Sequence, residues 1–356
     1  MRRSVIIFIF LFFFLSSLIG GSVFSTYEFF LSEGPLPERK EILIKEGETL
    51  KQIANKLKKE GFIDSPSIFV FGVRANGKGK SLRTGEYSIP ARSSPKMIMD
   101  ILTGGQTHIR RITFQEGMTS YQIVQQLNET DNLIGTIDDI PKNGTLLPET
   151  YYYSYGDTRQ SIIDRMQNAM NRAVDFAWQQ RVIDFPLTKE EAVILASIVE
   201  KETSILAEAN HIASVFLNRL KKNMRLQSDT TVIYALSNGT GVLNRKLWTN
   251  DLKVKHPYNT YVIYGLPPSA ISNPGAGTLQ AVMTPFESQD LYFVADGTGG
   301  HIFSKTYEEH IKNVKEWRRL KTDKQARQEK KSIKKIQNVP VPPTFPLSAQ
   351  KSKKSN

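Results

Sequence analysis

The sequence predicts an α+β protein. It begins with an N-terminal transmembrane helix, followed by a small α+β subdomain, a larger α+β domain that carries the chemistry, and a disordered basic tail. Three observations lead there. The chain is uncharged from Ser4 to Tyr27, directly after Arg2 and Arg3. A strand–turn–helix unit occurs twice: Ile44-Lys-Glu-Gly-Glu-Thr49 matches Phe114-Gln-Glu-Gly-Met-Thr119, Gln52-Ile53 matches Gln122-Ile123, and Leu57 matches Leu127. An apolar stretch, Ala192 to Val199, then runs without any loop signal into Glu200, Lys201, Glu202 and Thr203.

A chain of 356 residues has room for two domains. Its net charge of +12 sits mostly at its ends. The stretch Lys321 to Asn356 holds ten Lys/Arg and two acids, and Arg2 and Arg3 add two more cations, so the part between is nearly neutral. A nucleic-acid-binding body would present a basic face, and none is expected here. The alternative is that the tail itself touches nucleic acid or anionic lipid. The absence of cysteine excludes a disulfide framework, a thiolate nucleophile, a Cys-ligated zinc and a lipid-attachment cysteine. The five histidines (His108, His211, His256, His301, His310) form no metal-binding motif, and no glycine loop for phosphate is present, so neither metal nor cofactor is expected.

Taken in order, residues 1–27 read as a cytoplasmic start and a membrane anchor. The apolar run is long enough to cross a bilayer, and the positive-inside rule keeps Arg2 and Arg3 in the cytoplasm. A cleaved signal peptide is the alternative, but no Ala-x-Ala pattern follows the run. Residues 28–40, with Pro35 and Pro37, read as a linker. Glu41 to Lys45 alternates as a strand, Gly47 turns it, and Thr49 to Lys59 follows as an amphipathic helix N-capped by Thr49. Residues 41–106 form the small subdomain and 107–320 the larger one. Asn128 to Tyr155 is turn-rich, and its run Tyr151-Tyr152-Tyr153 suits either a half-buried strand or a sugar-stacking surface. Ile162 to Gln180 is an amphipathic helix. Thr188 and Glu191 form a capping box that opens the apolar helix.

A helix that is apolar all round is buried on all sides, so continuing it one turn brings Glu200 or Glu202 out at a cleft. A carboxyl there has its charged form disfavoured, as a general acid at neutral pH requires. Spacing does not choose between the two. Leu206 to Met224 is a second amphipathic helix, buried through Ile212, Val215, Phe216 and Leu220. Gly265-Leu-Pro-Pro268 and Ser272-Asn-Pro-Gly275 mark loops fixed by proline. Thr278 to Met283 is a short helix, Asp290 to Ala295 and His301 to Phe303 a hairpin, and Thr306 to Leu320 the last helix. Residues 321–356, Lys/Gln-rich and then Pro-rich, lack the apolar content to fold.

The turn Gly47-Glu48-Thr49-Leu50, with Ile53, resembles that of a LysM module, a small glycan-binding fold, although backbone needs explain the same residues. A larger resemblance runs from Glu41 to Leu320. The blocks Leu195-Ala-Ser-Ile-Val-Glu-Lys-Glu-Thr203, Val215-Phe-Leu-Asn-Arg-Leu220, Met224-Arg-Leu-Gln-Ser-Asp229, Tyr258-Asn-Thr-Tyr261, Gly265-Leu-Pro-Pro268, Asn273-Pro-Gly275 and Leu291-Tyr-Phe-Val-Ala-Asp296 closely resemble the YceG-like family of endolytic murein transglycosylases. Ser269-Ala270 departs from the family's usual residues after the double proline, and the basic tail lies outside the pattern.

The resemblance implies cleavage of the β-1,4 bond between N-acetylmuramic acid and N-acetylglucosamine without water, leaving a 1,6-anhydromuramyl end. It implies Glu200 as the catalytic acid/base. Glu202, Asn218, Gln227, Asp229, Tyr258, Asn259 and Tyr261 are candidate substrate-binding residues. It implies an inner-membrane enzyme facing outward, with peptidoglycan as substrate and cell-wall synthesis proteins as partners. The rival readings are a water-using muramidase with Asp229 or Glu202 as second carboxylate, a non-catalytic glycan-binding scaffold, and an adaptor acting through its tail.

Overall fold

The structure, a computed structural model, describes residues 2–105 and 108–337. It divides into two compact units. One comprises Met1–Asp175 with Ser237–Val242 and Ile271–Gly275; the other comprises Phe176–Leu236, Leu243–Ala270 and Ala276–Asn356. The class is α+β: the strands described form three two-stranded antiparallel sheets among helices.

In the first unit, α1 (Arg2–Leu31) is, among the described residues, the one helix long and apolar enough to cross a membrane. Its last turn is not a linker, contrary to the break expected at Glu28. Phe30 is fully buried, and its ring lies so close over Gly72 that a Cβ there would sit 2.3 Å from it. Then follow β1 (Lys40–Ile44), α2 (Leu50–Lys59), α3 (Pro66–Ala75), β2 (Gly85–Ile89) and α4 (Pro95–Gly104). Strands β1 and β2 pair antiparallel from Lys40↔Ile89 to Ile44↔Gly85. Their alternation buries Ile42, Ile44, Tyr87 and Ile89 in one cluster with Ile53, Leu57, Phe62 and Phe69.

A second cluster of the same unit gathers β3 (Arg110–Thr113), α5 (Ser120–Asn128), β4 (Thr150–Tyr153) and the start of α6 (Arg159–Gln179). Tyr151 and Tyr153 point into it while Tyr152 is exposed, so the tyrosine run is a half-buried strand. The repeat seen in the sequence is a repeated cap. Gly47 and Gly117 turn the chain at φ 81° and 76°, and Thr49 and Thr119 each form a capping box with the Gln three residues on. Beyond the cap the copies differ. Thr119 is buried and its Oγ1 also donates to Thr240 O, at 2.9 Å. Beside it, the fully buried Asn273 accepts from Gly144 N and Leu146 N at 2.9 and 3.1 Å, and donates to Met118 O and Ser120 Oγ, both at 3.1 Å.

The second unit is built on α7 (Lys189–Glu202), α8 (Leu206–Lys221) and α10 (Ala276–Met283), packed on one another, with α9 (Asp229–Leu236) against α7. The hairpin β5 (Tyr292–Ala295) and β6 (His301–Ser304), registered from Tyr292↔Ser304 to Ala295↔His301, packs against α11 (Tyr307–Gln337). The last helix therefore runs on past Leu320. Lys321 to Gln337, expected without structure, is rich in Lys, Gln, Arg and Glu, which are good helix formers. The rest of the expected tail, 338–356, lies outside the described residues.

Candidate active site

Helix α7 starts where its sequence says. Thr188 Oγ1 accepts from Glu191 N at 3.2 Å, and Glu191 Oε2 accepts from Thr188 N at 2.8 Å. Ala192, Leu195, Ala196, Ile198 and Val199 are then buried. The helix ends at Glu202, the residue that reaches a cleft of about 320 Å³ in the second unit. That cleft is lined by Glu202, Arg219, Gln227, Ser228, Asp229 and Tyr261, with Tyr292, Phe293, Tyr307 and His310 on the hairpin and α11 side. Glu200 is half-buried and is not among its lining residues.

The Glu202 carboxyl is pushed above its ordinary value, chiefly by burial. The neighbouring Asp229 charge pushes the same way. Ser228 Oγ donates to Glu202 Oε1 at 2.5 Å and Thr230 Oγ1 at 3.4 Å, and these bonds together with the charge of His301 pull it back only in part. Asp229 opens α9, where a negative charge is favoured. Tyr261 donates its phenol to Asp229 Oδ1 at 2.6 Å, and burial followed by that carboxylate pushes the phenol up.

Arg219, in the last turn of α8, is buried. Its Nε donates to Leu291 O at 2.6 Å and its Nη1 to Leu226 O at 2.8 Å, while the guanidinium lies over the Tyr292 ring, 5.2 Å from its centroid. Burial moves its pKa down. It thus ties the 224–228 loop to β5 and keeps a cation at the cleft wall. His310 is held below its ordinary value by burial and by Arg219, and stacks on Tyr292 at 5.1 Å.

The loop carrying Gln227 to Asp229 is fixed from below. Gln227 sits at φ 54° and donates its N–H to Thr260 O at 3.1 Å, while Ser228 N donates to Thr260 Oγ1 at 3.0 Å. Thr260 and Thr231 are fully buried and bond each other at 2.9 Å. Glu208, in the first turn of α8, accepts from His301 N at 3.0 Å and is 2.7 Å from His301 Nδ1, which anchors the start of β6.

The structure therefore brings together Glu202, Gln227, Asp229 and Tyr261 from the predicted set. It does not bring in Glu200 or the other three binding candidates. Asn218 Nδ2 donates to Ser288 O and Asp290 O at 2.9 and 3.1 Å, and the residue lines a separate cavity of about 780 Å³. Asn259 is fully buried, donating to Leu252 O and Val254 O and accepting from Tyr261 N, so it shapes the loop that presents Tyr261. Tyr258 bonds Ser269 Oγ at 2.6 Å and packs on Tyr234. Among the described residues no cluster of metal-binding side chains occurs.

The YceG-like family model matches residues 42–316. The chain belongs to the YceG-like family. Within it, the endolytic murein transglycosylase of Bacillus subtilis (strain 168) is 30% identical over 315 residues, which are 80% of this chain and 86% of that protein. The endolytic murein transglycosylase of Streptococcus pneumoniae (strain ATCC BAA-255 / R6) is 27% identical over 317 residues, which are 77% of this chain and 57% of that longer protein. A crystallised YceG-like protein from Listeria monocytogenes is 31% identical, covers 78% of this chain and 99% of its own, and superposes with a TM-score of 0.47.

Sequence reasoning did not single out Arg219, Ser228, Tyr292 and His310, which also line the cleft. Arg219 lies in the stretch Val215 to Leu220, in the last turn of α8, where a cation is common. Only its burial marks it out, and no local pattern announces that. Ser228 was hidden for the same reason, because its partner Glu202 lies 26 positions away.

Proposed function

We propose that the chain cuts peptidoglycan glycan strands internally as an endolytic lytic transglycosylase, with Glu202 as its acid/base. One observation carries the choice of acid: Glu202 lies in a cleft, partly desolvated beside Asp229, with its carboxyl held toward the protonated form. The reaction class rests on the named relatives, above all the Bacillus subtilis enzyme that this chain covers over 86% of its length.

Protonated Glu202 donates to the glycosidic oxygen between N-acetylmuramic acid and N-acetylglucosamine as the C1–O bond breaks. The resulting carboxylate then takes the proton of the same muramyl ring's C6 hydroxyl, whose oxygen closes on C1. The products are a 1,6-anhydromuramyl end and a free 4-hydroxyl, and no water is consumed. One carboxyl suffices because the nucleophile is intramolecular, with an effective concentration far above that of any free reactant. Gln227, Asp229 and Tyr261 orient hydroxyl and N-acetyl groups, and buried Arg219 holds the cleft walls.

Asp229 in the same cleft is the observation that favours a second reading, a muramidase with two carboxylates.

Arg2 and Arg3 ahead of the apolar run support, by the positive-inside rule, an outward-facing catalytic part, where new strands emerge and a cut sets their length. The order β1-α2-α3-β2 supports a LysM-like glycan-binding module in residues 41–106. Partners in wall synthesis follow from the family.

The test is digestion of purified peptidoglycan by the full chain, by Glu202→Gln and by Glu200→Gln, with fragments read by mass spectrometry. Anhydro ends from the wild type and Glu200→Gln, absent with Glu202→Gln, are expected. Loss with Glu200→Gln alone returns the role to Glu200. Fragments one water heavier establish the muramidase.

A further inference from the structure

The anchor helix enters the first unit with no spacer. Tyr27 is the last residue of the uncharged run, Glu28 the first charge, and Phe30 is already in the core under Gly72. At 1.5 Å per residue, Phe30 stands only about 4–5 Å above the end of the uncharged run. The headgroup layer on each side of a bilayer is itself roughly 5–8 Å thick. With α1 as a membrane span and Tyr27 at the edge of the hydrocarbon, part of this unit stands within the headgroups.

Contacts along α1 tell which part. Phe62 O and Ser93 O crowd Gly34, and Ser65, Ile68 and Pro95 line a small hollow with Phe29 and Ser32. Gly72 meets Phe30, further down α1. The C-terminal end of α3 therefore lies beside the last turn of α1, at the level of Phe30. That end carries exposed Phe71 and exposed Arg74, and the next loop carries exposed Lys78 and Lys80. From Ser65 to Gly85 the chain has four cations and no carboxylate. Among the described residues Arg74, Lys78 and Lys80 make no ion pair. Unpaired cations and an exposed ring at the foot of a membrane helix match an anionic lipid surface.

We propose that the end of α3 and the loop after it, Phe71 to Lys80, rest on the lipid headgroups, with Phe71 entering the interface and Arg74, Lys78 and Lys80 meeting lipid phosphates. The inference rests on α1 being a membrane anchor and is independent of the reaction. It fixes the height of this unit above the bilayer by two attachments, the helix and the loop.

The chain's lack of cysteine makes the test direct. Single variants Phe14→Cys, Lys59→Cys, Phe71→Cys and Lys78→Cys of the full chain are labelled with a fluorophore. They are placed in phosphatidylglycerol-containing vesicles with lipids spin-labelled at the headgroup or deep in the acyl chain. Deep quenching at position 14, headgroup quenching at 71 and 78, and little at 59 are expected. Neutralising Arg74, Lys78 and Lys80 together to Gln, read with the label at 71, weakens the contact by roughly fivefold per charge, and phosphatidylcholine vesicles do the same to the wild type. Absent quenching at position 14 overturns the anchor itself. Quenching at 14 with 71 and 78 no better quenched than 59 overturns the proposed surface while leaving the anchor intact. Contact at 71 that ignores lipid charge overturns the role of the cations.

Discussion

Glu86 in the first unit and Glu202 in the second are both largely withdrawn from water, yet their carboxyls move in opposite directions. Glu86, on β2, faces Arg110 on β3. The ion-paired hydrogen bond to that guanidinium holds it below the usual carboxylate range, outweighing its burial. Glu202 has two hydroxyls and a like charge for company, and burial wins. The same side chain is a stabilising strut where a guanidinium bonds it directly and is held toward its protonated form where only hydroxyls do. The first unit puts its buried polar groups to structural use, as Asn273 also illustrates. In the second, Glu202 keeps its carboxyl at a cleft, at a cost in stability, while Asn259 and Thr260 serve the fold.

The largest effect that sharpens this contrast is on activity. Glu202→Gln is expected to slow strand cleavage by roughly 10²–10⁴-fold, the usual worth of a general acid. Glu86→Gln leaves the rate per folded molecule unchanged, as rates normalised to folded protein will read. Next is stability. Glu86→Gln leaves Arg110 without its partner and is expected to cost about 2 kcal/mol, less than a fully buried pair because both side chains keep some solvent contact. Chemical denaturation measures it, and no loss would break the contrast.

The pH dependence has opposite signs at the two sites. Glu86 adds stability above its unfolded pKa, which is lost as pH falls through its lowered folded value. The deficit of Glu86→Gln should therefore shrink in strong acid. Glu202 has a raised folded value, so its unfavourable contribution appears as pH rises through that value and is absent below its unfolded pKa. Glu202→Gln should therefore melt above the wild type at pH 8 and with it at pH 4. The smallest effect belongs to His301, whose charge pulls Glu202 down. His301→Gln should shift the high-pH limb of cleavage upward by less than about one unit, because the acid then stays protonated longer. A merely structural loss would lower the rate without moving the limb.

Much of the fold was legible because its signals are local. Thr49, Thr119 and Thr188 cap their helices by reaching three residues on, a distance that sequence spacing states directly. Strand β1 declares itself by alternation and α7 by apolar content. Helices α3 and α4 carried weaker patterns and went unread. In the site, Asp229 and Tyr261 were candidates from their blocks. Asn218, Tyr258 and Asn259 were equally polar and equally plausible, but they serve hydrogen bonds within the fold. Polarity and block membership do not say which way a side chain faces.

By itself, then, the sequence determined the apolar N-terminal helix, the capped helices and the family. Only the tertiary structure shows that Glu202, and not Glu200, lines the cleft beside Asp229. Two residues apart on a helix stand about 200° around its axis, so one of them had to turn away from whatever packs at the end of α7. The loop holding Ser228 and Asp229 packs there, seated on Thr260 from a distant segment, and it meets Glu202. No spacing within α7 encodes where that loop will land.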